Sequence, residues 1–123
     1  MPWFQVEGEA LTAAEIRGAV TRLLDEARKR IKRDLRRVLL LPPDLTRAHS
    51  GAGRITEMLY EGLAGCEVAV IPTLGQHRPH TEQENRWMFG SIPNDKIFAH
   101  DWRGDCTRIG TIPAAMVAET TGG

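Results

Sequence analysis

His77 is the residue of this sequence whose type and setting best suit acid/base chemistry. It lies in the Gly-Gln-His-Arg-Pro-His loop at residues 75–80, directly before a helix that is predicted to begin at Thr81. The positive end of that helix disfavours a nearby imidazolium ion and helps to keep the imidazole neutral, which is the form that a general base needs. A loop histidine that only hydrogen-bonds the backbone is the alternative interpretation.

A second polar cluster, Asp-Leu-Thr-Arg at residues 44–47, has the composition of an anion-binding site. The planar guanidinium of Arg47 can bind both oxygens of a carboxylate or a phosphate, or it can form a salt bridge with Asp44 across the turn. Thr46 and Ser50 can donate hydrogen bonds to phosphate oxygens beside the next helix N-terminus, or they can simply cap that helix. Anion binding is therefore the chemistry that this cluster favours.

A third cluster, His-Asp-Trp-Arg at residues 100–103, supplies another histidine. His100 and Asp101 are as consistent with a structural pair at a strand end as with a direct role. His77 and His80 are three residues apart and invite a metal site, but Pro79 prevents a regular helix there and no third ligand stands at the spacing of a metal site. The sequence therefore predicts no metal ligand.

Each of these clusters follows a short apolar run that is typical of a strand buried on both faces. Strands that alternate with helices favour a parallel sheet with right-handed crossovers, whose ligands bind outside the carboxyl ends of the strands. We therefore predict a three-layer, Rossmann-like α/β sandwich with a mainly parallel sheet and all three clusters at one edge. The predicted strands are residues 38–41, 68–71 and 97–100, with a short fourth strand at 107–111.

Two capping boxes mark where helices begin. In this motif a threonine and the glutamate three residues later each satisfy a backbone N–H group that the helix start leaves without a partner. Thr12 with Glu15 marks the first helix, and Thr81 with Glu84 marks the third. The predicted helices run from residue 11 to about residue 33, from the end of the polar loop at 44–53 to Gly65, and onward from Thr81.

The composition indicates one domain over residues 1–123 that has no general attraction for polyanions. Sixteen basic and sixteen acidic residues give a net charge of zero, so binding to nucleic acid or to an anionic membrane is not expected. The basic cluster at residues 28–30 has acidic residues among its neighbours and no aromatic ones. A solvated helix end explains that cluster better than a nucleic-acid patch.

The sequence shows no sign of a membrane span or of export. No apolar stretch approaches the roughly 20 residues that a membrane helix needs, and the first residues lack the pattern of a secretory signal. Two cysteines are too few for a disulfide framework or a four-cysteine zinc site. We therefore expect a cytoplasmic protein.

The three clusters together resemble the amino-terminal domain of the lactate racemase family that uses a nickel-pincer nucleotide. The likeness runs from about Val38 to Pro113, which is most of the chain. Its most specific part is an Asp-x-Thr-Arg element followed by a Gly-x-His-x-Pro element. The resemblance implies the reaction of that family, in which the cofactor abstracts a hydride from a 2-hydroxy acid and returns it to either face.

The resemblance also implies roles for single residues. His77 matches one of the two acid/base histidines that flank the substrate carbon. Arg47 matches the arginine that holds the substrate carboxylate. Asp44 matches a residue of the cofactor pocket, and we expect Thr46 and His100 to bind the cofactor with it.

Three groups that such an enzyme needs have no match in this chain. They are a second acid/base histidine, a lysine that anchors the cofactor covalently and a nickel-ligating histidine. Lys29 and Lys32 fall on the first helix, and Lys96 opens a predicted strand. We therefore expect the N-terminal domain of a longer racemase, or a fragment of it, which is inactive without the C-terminal domain and binds the nickel-pincer nucleotide only in the full-length enzyme.

The choice of substrate and two other functions stay open. The residues after Arg47 are Ala-His-Ser-Gly, where the best-known members of the family have proline, and this departure allows a 2-hydroxy acid larger than lactate. One alternative function is a stand-alone anion- or nucleotide-binding module without catalysis. The other is a metal-binding protein that uses His77, His80 and His100.

Overall fold

Two short strands, β1 (Arg37–Leu40) and β2 (Glu67–Val70), pair in parallel in the computed structural model, which describes residues 10–31 and 34–122. In this register Val38 lies opposite Val68 and Leu40 lies opposite Val70. The two strands confirm the first two that the apolar runs predict, but β1 is not buried on both faces, because 52% of Leu39 is exposed. Because their directions are the same, the segments that follow them start from the same edge of the sheet.

Four α-helices accompany the two strands in the described part of the chain. Both predicted capping boxes are confirmed: the amides of Glu15 and Glu84 donate to the hydroxyls of Thr12 and Thr81, and each glutamate accepts from the backbone N–H of its threonine. The predicted end of the first helix, near Arg33, lies outside the described residues. The helices are α1 (Ala13–Ile31), α2 (Ala52–Gly62), α3 (Glu82–Phe89) and α4 (Ala114–Thr121).

Apolar side chains of the first three helices cover the sheet in two clusters. In one cluster α1 and α2 pack on β2. In the other, Phe89 of α3 packs against Val70, and neither side chain is exposed. Helix α2 approaches α3 so closely that a Cβ atom at Gly53 would overlap the carbonyl oxygen of Met88. The residues of the first cluster are Val20, Leu24, Met58, Leu63 and Val68.

The predicted third and fourth strands are wrong. Asn94–Lys96 forms a single 3-10 turn, after which Ile97 makes only an isolated parallel bridge to Val70. All residues from 98 to 113 are exposed, and the side chain of Ile109 has no cover at all. The Phe98 amide also donates to the carbonyl of Val70 at 2.8 Å, but among the described residues the pairing with β2 does not continue beyond this point, and a strand needs such pairing to satisfy its backbone groups. The fold is therefore mixed α/β with a two-stranded parallel sheet, and a three-layer sandwich is not confirmed.

Besides the turn at Asn94–Lys96, two further helical segments arise that the sequence does not predict. The polar loop before α2 contains a 3-10 helix, Leu45–Ser50, which is kinked at Arg47 and ends at Gly51 in the left-handed conformation. Helix α4 forms near the end of the chain with none of its residues buried. Among the described residues, no helix has the length and apolar character to cross a membrane.

Candidate acid/base site

A cleft of about 450 Å³ lies at the carboxyl edge of the sheet, between the segments that follow β1 and β2. The pairing of the two strands continues into these segments through a parallel bridge between Pro43 and Thr73. The amide and the hydroxyl of Thr73 both donate to the carbonyl of Pro42, at 2.8 and 3.1 Å. The cleft therefore has walls that are attached directly to the sheet.

A turn of four residues shapes the wall that follows β2. The amide of His77 donates to the carbonyl of Leu74 at 2.9 Å and closes the turn. Gly75 occupies the turn with a φ of 57°, which is in the left-handed region that other residues adopt at a cost. The glycine of the Gly-x-His element therefore allows the reversal that places His77 on the cleft.

Asp44 and His77 face each other across the cleft. The Nδ1 atom of His77 lies 2.5 Å from Oδ2 of Asp44, and the hydroxyl of Thr46 donates to Oδ1 at 2.6 Å. An ionised carboxylate only accepts hydrogen bonds, so Nδ1 carries the proton and Nε2 is the unprotonated nitrogen of the neutral ring. Within the described residues Nε2 has no hydrogen-bond partner, and 59% of the His77 side chain is exposed. The geometry leaves a free basic nitrogen at the cleft.

The carboxylate of Asp44 is buried but stays ionised. Only 5% of this residue is exposed, and burial alone would favour the neutral acid. The hydrogen bond from Thr46, aided by the one from His77, holds the pKa of the Asp44 carboxyl below its ordinary value. Asp44 is thus a fixed negative charge that orients His77 and stabilises it when it gains a proton.

Arg47 lines the same cleft with an uncommitted side chain. The predicted alternative, a salt bridge with Asp44, is not formed, since both carboxylate oxygens of Asp44 are bound by Thr46 and His77. In the ranges 10–31 and 34–122, Arg47 has no hydrogen bond or ion pair through its guanidinium. A planar cation without a partner, in the same cleft as a free imidazole nitrogen, can bind a carboxylate.

Arg78 follows His77 in the sequence but is held by helix α3. Its guanidinium binds both carboxylate oxygens of Glu84, at 2.6 and 2.8 Å. This pair, together with the hydrogen bond from the Thr81 amide, lowers the pKa of Glu84 from 4.5 to about 2. Arg78 therefore fixes the loop that carries His77 and is not available to an anion in the cleft.

His100 is a predicted cofactor-binding residue that the structure does not bring to the cleft. It is exposed and does not line the cleft with the other predicted site residues. Its neighbour Asp101 accepts a hydrogen bond from the amide of Arg103 at 3.0 Å, and the backbone N–H groups of Gly104 and Arg103 lower the pKa of Asp101. Asp44, Thr46, Arg47 and His77 are brought together, and His100 is not.

The described residues do not fit a resident metal centre or an anchored cofactor. Among them, no group of three His, Cys, Asp or Glu side chains is arranged to hold a metal ion. Lys29 pairs with Glu26 at 3.2 Å, Lys96 lies 3.9 Å from Asp95, and neither lysine lines the cleft. Lys32 lies outside the described residues. What the cleft offers is a base, a buried carboxylate and a free arginine.

The model of the lactate racemase N-terminal domain family matches residues 4–118 of the chain. The chain belongs to this family. The family that the motifs indicate is thereby confirmed, and its two specific elements are the two walls of the cleft. No curated protein and no solved structure matches the chain significantly.

Two contacts at this cleft were not predicted from the sequence. Asp44, which is predicted to lie in a cofactor pocket, is the hydrogen-bond partner of His77, and its cofactor role stays a prediction. His80, for which no role is predicted, accepts a hydrogen bond from the amide of Leu45. No sequence signal marks either contact, because one depends on the strand register and the other ends on a backbone amide.

Proposed function

We propose that this domain supplies one acid/base histidine and the carboxylate-binding arginine of a 2-hydroxy acid racemase or epimerase. The observation that carries the proposal is that the free Nε2 of His77 and the unpaired guanidinium of Arg47 belong to one cleft. A 2-hydroxy acid has a negatively charged carboxylate and a hydroxyl on the next carbon, so its site needs a cation for the carboxylate and a base for the hydroxyl proton. Membership of the lactate racemase N-terminal domain family supports the same reaction class.

In this proposal His77 moves the proton of the substrate hydroxyl. Its Nε2 accepts the hydroxyl proton, and the imidazolium that forms is stabilised by the Asp44 carboxylate on Nδ1. A positioned general base of this kind contributes roughly 10²- to 10⁴-fold to a reaction rate. Thr46 keeps Asp44 ionised, which keeps the proton of the neutral ring on Nδ1.

Arg47 binds the substrate carboxylate and so orients the hydroxyl toward His77. A guanidinium can donate two parallel hydrogen bonds to a carboxylate, which fixes the plane of the acid. The cleft volume of about 450 Å³ falls within the usual range of small-molecule sites. It accommodates lactate and also larger 2-hydroxy acids, in keeping with the departure from the family pattern after Arg47.

The remaining parts of the reaction belong to the longer enzyme of which this domain is proposed to be the N-terminal part. Racemisation needs proton transfer on both faces of the substrate, and one histidine serves one face. The nickel-pincer nucleotide is proposed for that enzyme, and its nickel ligand and lysine anchor would come from other segments. A cytoplasmic location and a larger three-layer sheet are further predictions for that enzyme.

The binding of 2-hydroxy acids to the 123-residue chain tests the proposal. Titration with D- and L-lactate and with 2-hydroxybutyrate, followed by the amide NMR signals, should perturb the signals of residues 44–47 and 73–77. Propionate, which lacks the hydroxyl, should bind more weakly. Arg47→Gln should weaken lactate binding about tenfold or more, the scale of a lost charge-assisted hydrogen bond.

Arg54→Gln is the matched control for this titration. Arg54 is an exposed arginine of α2 that does not line the cleft, and its substitution removes the same charge from the chain. Equal affinity of the wild type and Arg47→Gln would contradict the proposal. So would a loss of affinity that is the same in both variants.

A stand-alone anion-binding module is the second candidate, because Arg47 is unpaired. The buried carboxylate of Asp44 disfavours a phosphate more than a 2-hydroxy acid, because a phosphate carries up to two negative charges and a carboxylate carries one. Titration with inorganic phosphate and with adenosine monophosphate separates the two functions. Tight binding of either, without binding of lactate, would favour the module.

A further inference from the structure

His80 joins the two segments that form the cleft, although it does not line the cleft itself. Its Nε2 atom accepts the backbone N–H of Leu45 at 3.0 Å, and Leu45 is the residue that follows Asp44. The imidazole is half-buried and stacks on Phe89, with 6.2 Å between the ring centroids and an angle of 26°. The ring is thus fixed on one side by the core and on the other by the loop after β1.

The hydrogen bonds of His80 define where its proton lies. A backbone N–H can only donate, so Nε2 is unprotonated, and the neutral ring carries its proton on Nδ1. That proton is donated to Oδ1 of the buried Asn85 at 3.2 Å, and Nδ2 of Asn85 donates to Oδ1 of Asn94 at 2.8 Å. This chain of hydrogen bonds, which we call the His80 relay, has a single direction from Leu45 to Asn94.

We propose that His80 is a positioning residue: by holding the Leu45 amide, it sets the Asp44 carboxylate at hydrogen-bond distance from His77. Two adjacent residues of one loop, Asp44 and Leu45, are bound by two histidines of the other loop. The side chain of His77 is largely exposed, so its bond to Asp44 holds the loops only weakly. His80, in contrast, is anchored to α3 through the relay. The link at Leu45 therefore fixes the loops at the level of the acid/base pair, beyond the bonds between Thr73 and Pro42 at the sheet edge.

The relay also excludes one function that the sequence leaves open. A histidine binds a metal through an unprotonated nitrogen, and the unprotonated Nε2 of His80 already accepts the Leu45 amide. A metal ion at His80 would have to break the link to that loop. The relay thus makes His80 a support of the acid/base pair. The importance of this support for catalysis rests on the proposed function, whereas the positioning of the two loops does not.

Nitrogen-15 NMR of the 123-residue chain tests the positioning without any substrate. In the wild type, His80 and His77 should both carry the proton on Nδ1, and the Leu45 amide should exchange slowly with solvent. His80→Asn and His80→Gln form a matched pair, because the asparagine amide reaches only the place of Nδ1 and the glutamine amide reaches the place of Nε2. His80→Gln can therefore still accept the Leu45 N–H.

We expect His80→Asn to speed the exchange of the Leu45 amide about tenfold, the factor that one hydrogen bond of ordinary net strength represents. In the same variant the His77 signals should change from one tautomer to the mixture seen in water. His80→Gln should retain both wild-type properties. A merely structural role of His80 would lower the melting temperature without a change in the His77 tautomer.

Three results would overturn the proposal: an unchanged His77 tautomer in His80→Asn, equal effects of the two variants, or a wild-type His80 that carries its proton on Nε2. The last of these needs no variant, so the test holds even where His80→Asn does not fold. If lactate does not bind to a chain in which the His80 relay is intact, the proposed function is contradicted but the positioning role of His80 is not.

Discussion

The imidazole of His77 binds the carboxylate of Asp44 through Nδ1, so Nε2 is the ring nitrogen that stays free for chemistry. The two residues are 33 positions apart, and the parallel pairing of β1 with β2 brings them together. The side chain of His77 is largely exposed, whereas that of Asp44 is almost fully buried. The pair thus combines an accessible base with a protected charge.

His77→Ala should abolish most of the racemisation by the longer enzyme while it leaves the fold intact. We expect a rate loss of roughly 10²- to 10⁴-fold, because the general base is removed. The melting temperature should change little, since an exposed side chain leaves no cavity. Racemisation of D- and L-lactate with added cofactor, with thermal melts alongside, measures both. The 123-residue chain alone should show no turnover.

His49→Ala is the control for that experiment. His49 is an exposed histidine of the neighbouring 3-10 helix and does not line the cleft. Its substitution should leave the rate within twofold of the wild type, a bound that we take from the usual small effect of surface changes. A near-normal rate in His77→Ala would remove the basis for the proposed role of His77.

Thr46→Val should lower the free energy of unfolding more at neutral pH than at acidic pH. The folded state holds the pKa of Asp44 below its ordinary value, so this carboxylate stabilises the fold above pH 4 and loses that effect as the pH falls through the folded pKa. Without the Thr46 hydroxyl the folded pKa rises. We expect the variant to be less stable by about 1 kcal/mol at pH 7 and by less at pH 3.

Urea unfolding of the wild type and Thr46→Val at both pH values measures this difference. Thr21→Val is a suitable control, because the hydroxyl of Thr21 donates only to the backbone carbonyl of Arg17 on the exposed face of α1. Its effect on stability should be the same at both pH values. A Thr46→Val effect that does not change with pH would show that the hydroxyl does not act through Asp44.

Glu84→Gln should remove an acid-sensitive contribution to stability. The pKa of Glu84 is lowered to about 2 in the fold, mainly by Arg78, so the ionised form stabilises the fold above its ordinary pKa of 4.5 and the effect disappears as the pH falls toward 2. The melting temperature of the wild type should therefore fall over this range more steeply than that of the variant. Glu82→Gln, in the same helical turn, should melt in parallel with the wild type.

Gly53→Ala should destabilise the fold through the contact of α2 with α3. A Cβ atom at this position would overlap the carbonyl of Met88, and the helices would have to move apart. We expect a loss of about 1–3 kcal/mol in the free energy of unfolding, as for overpacking in other cores. Gly18→Ala in α1, where nothing lies within 4 Å, should instead stabilise by up to about 1 kcal/mol. Urea unfolding distinguishes the opposite signs.

Local signals explain which parts of the fold could be predicted. Thr81 and Glu84 form a capping box within four residues, so the start of α3 can be read from the sequence alone. The segment after Lys96 was wrongly predicted as a strand, because an apolar run does not show how far its pairing extends: among the described residues of this segment, only Ile97 and Phe98 pair with Val70 of β2. The 3-10 helix Leu45–Ser50 was not predicted, because its polar residues are equally typical of a loop.

Four of the five predicted site residues, all except His100, line one cleft, but the bonds between them could not be predicted. The positions of Asp44 and His77 after buried strands indicate a shared edge. Which atoms meet there depends on the strand register and on the turn at Gly75, neither of which the sequence pattern specifies. The same limit applies to His80, whose partner is a backbone amide on the other loop.

The turn that closes between Leu74 and His77 leaves one of its residues with unusual freedom to vary. Gln76 lines the cleft and has no hydrogen bond through its side chain among the described residues, whereas Gly75 is constrained by its φ and His77 by Asp44. A change at position 76 alters the surface that meets a ligand and leaves the backbone bond of the turn in place. Under the proposed function, substitutions of Gln76 should therefore change which 2-hydroxy acid binds best without removing the base His77.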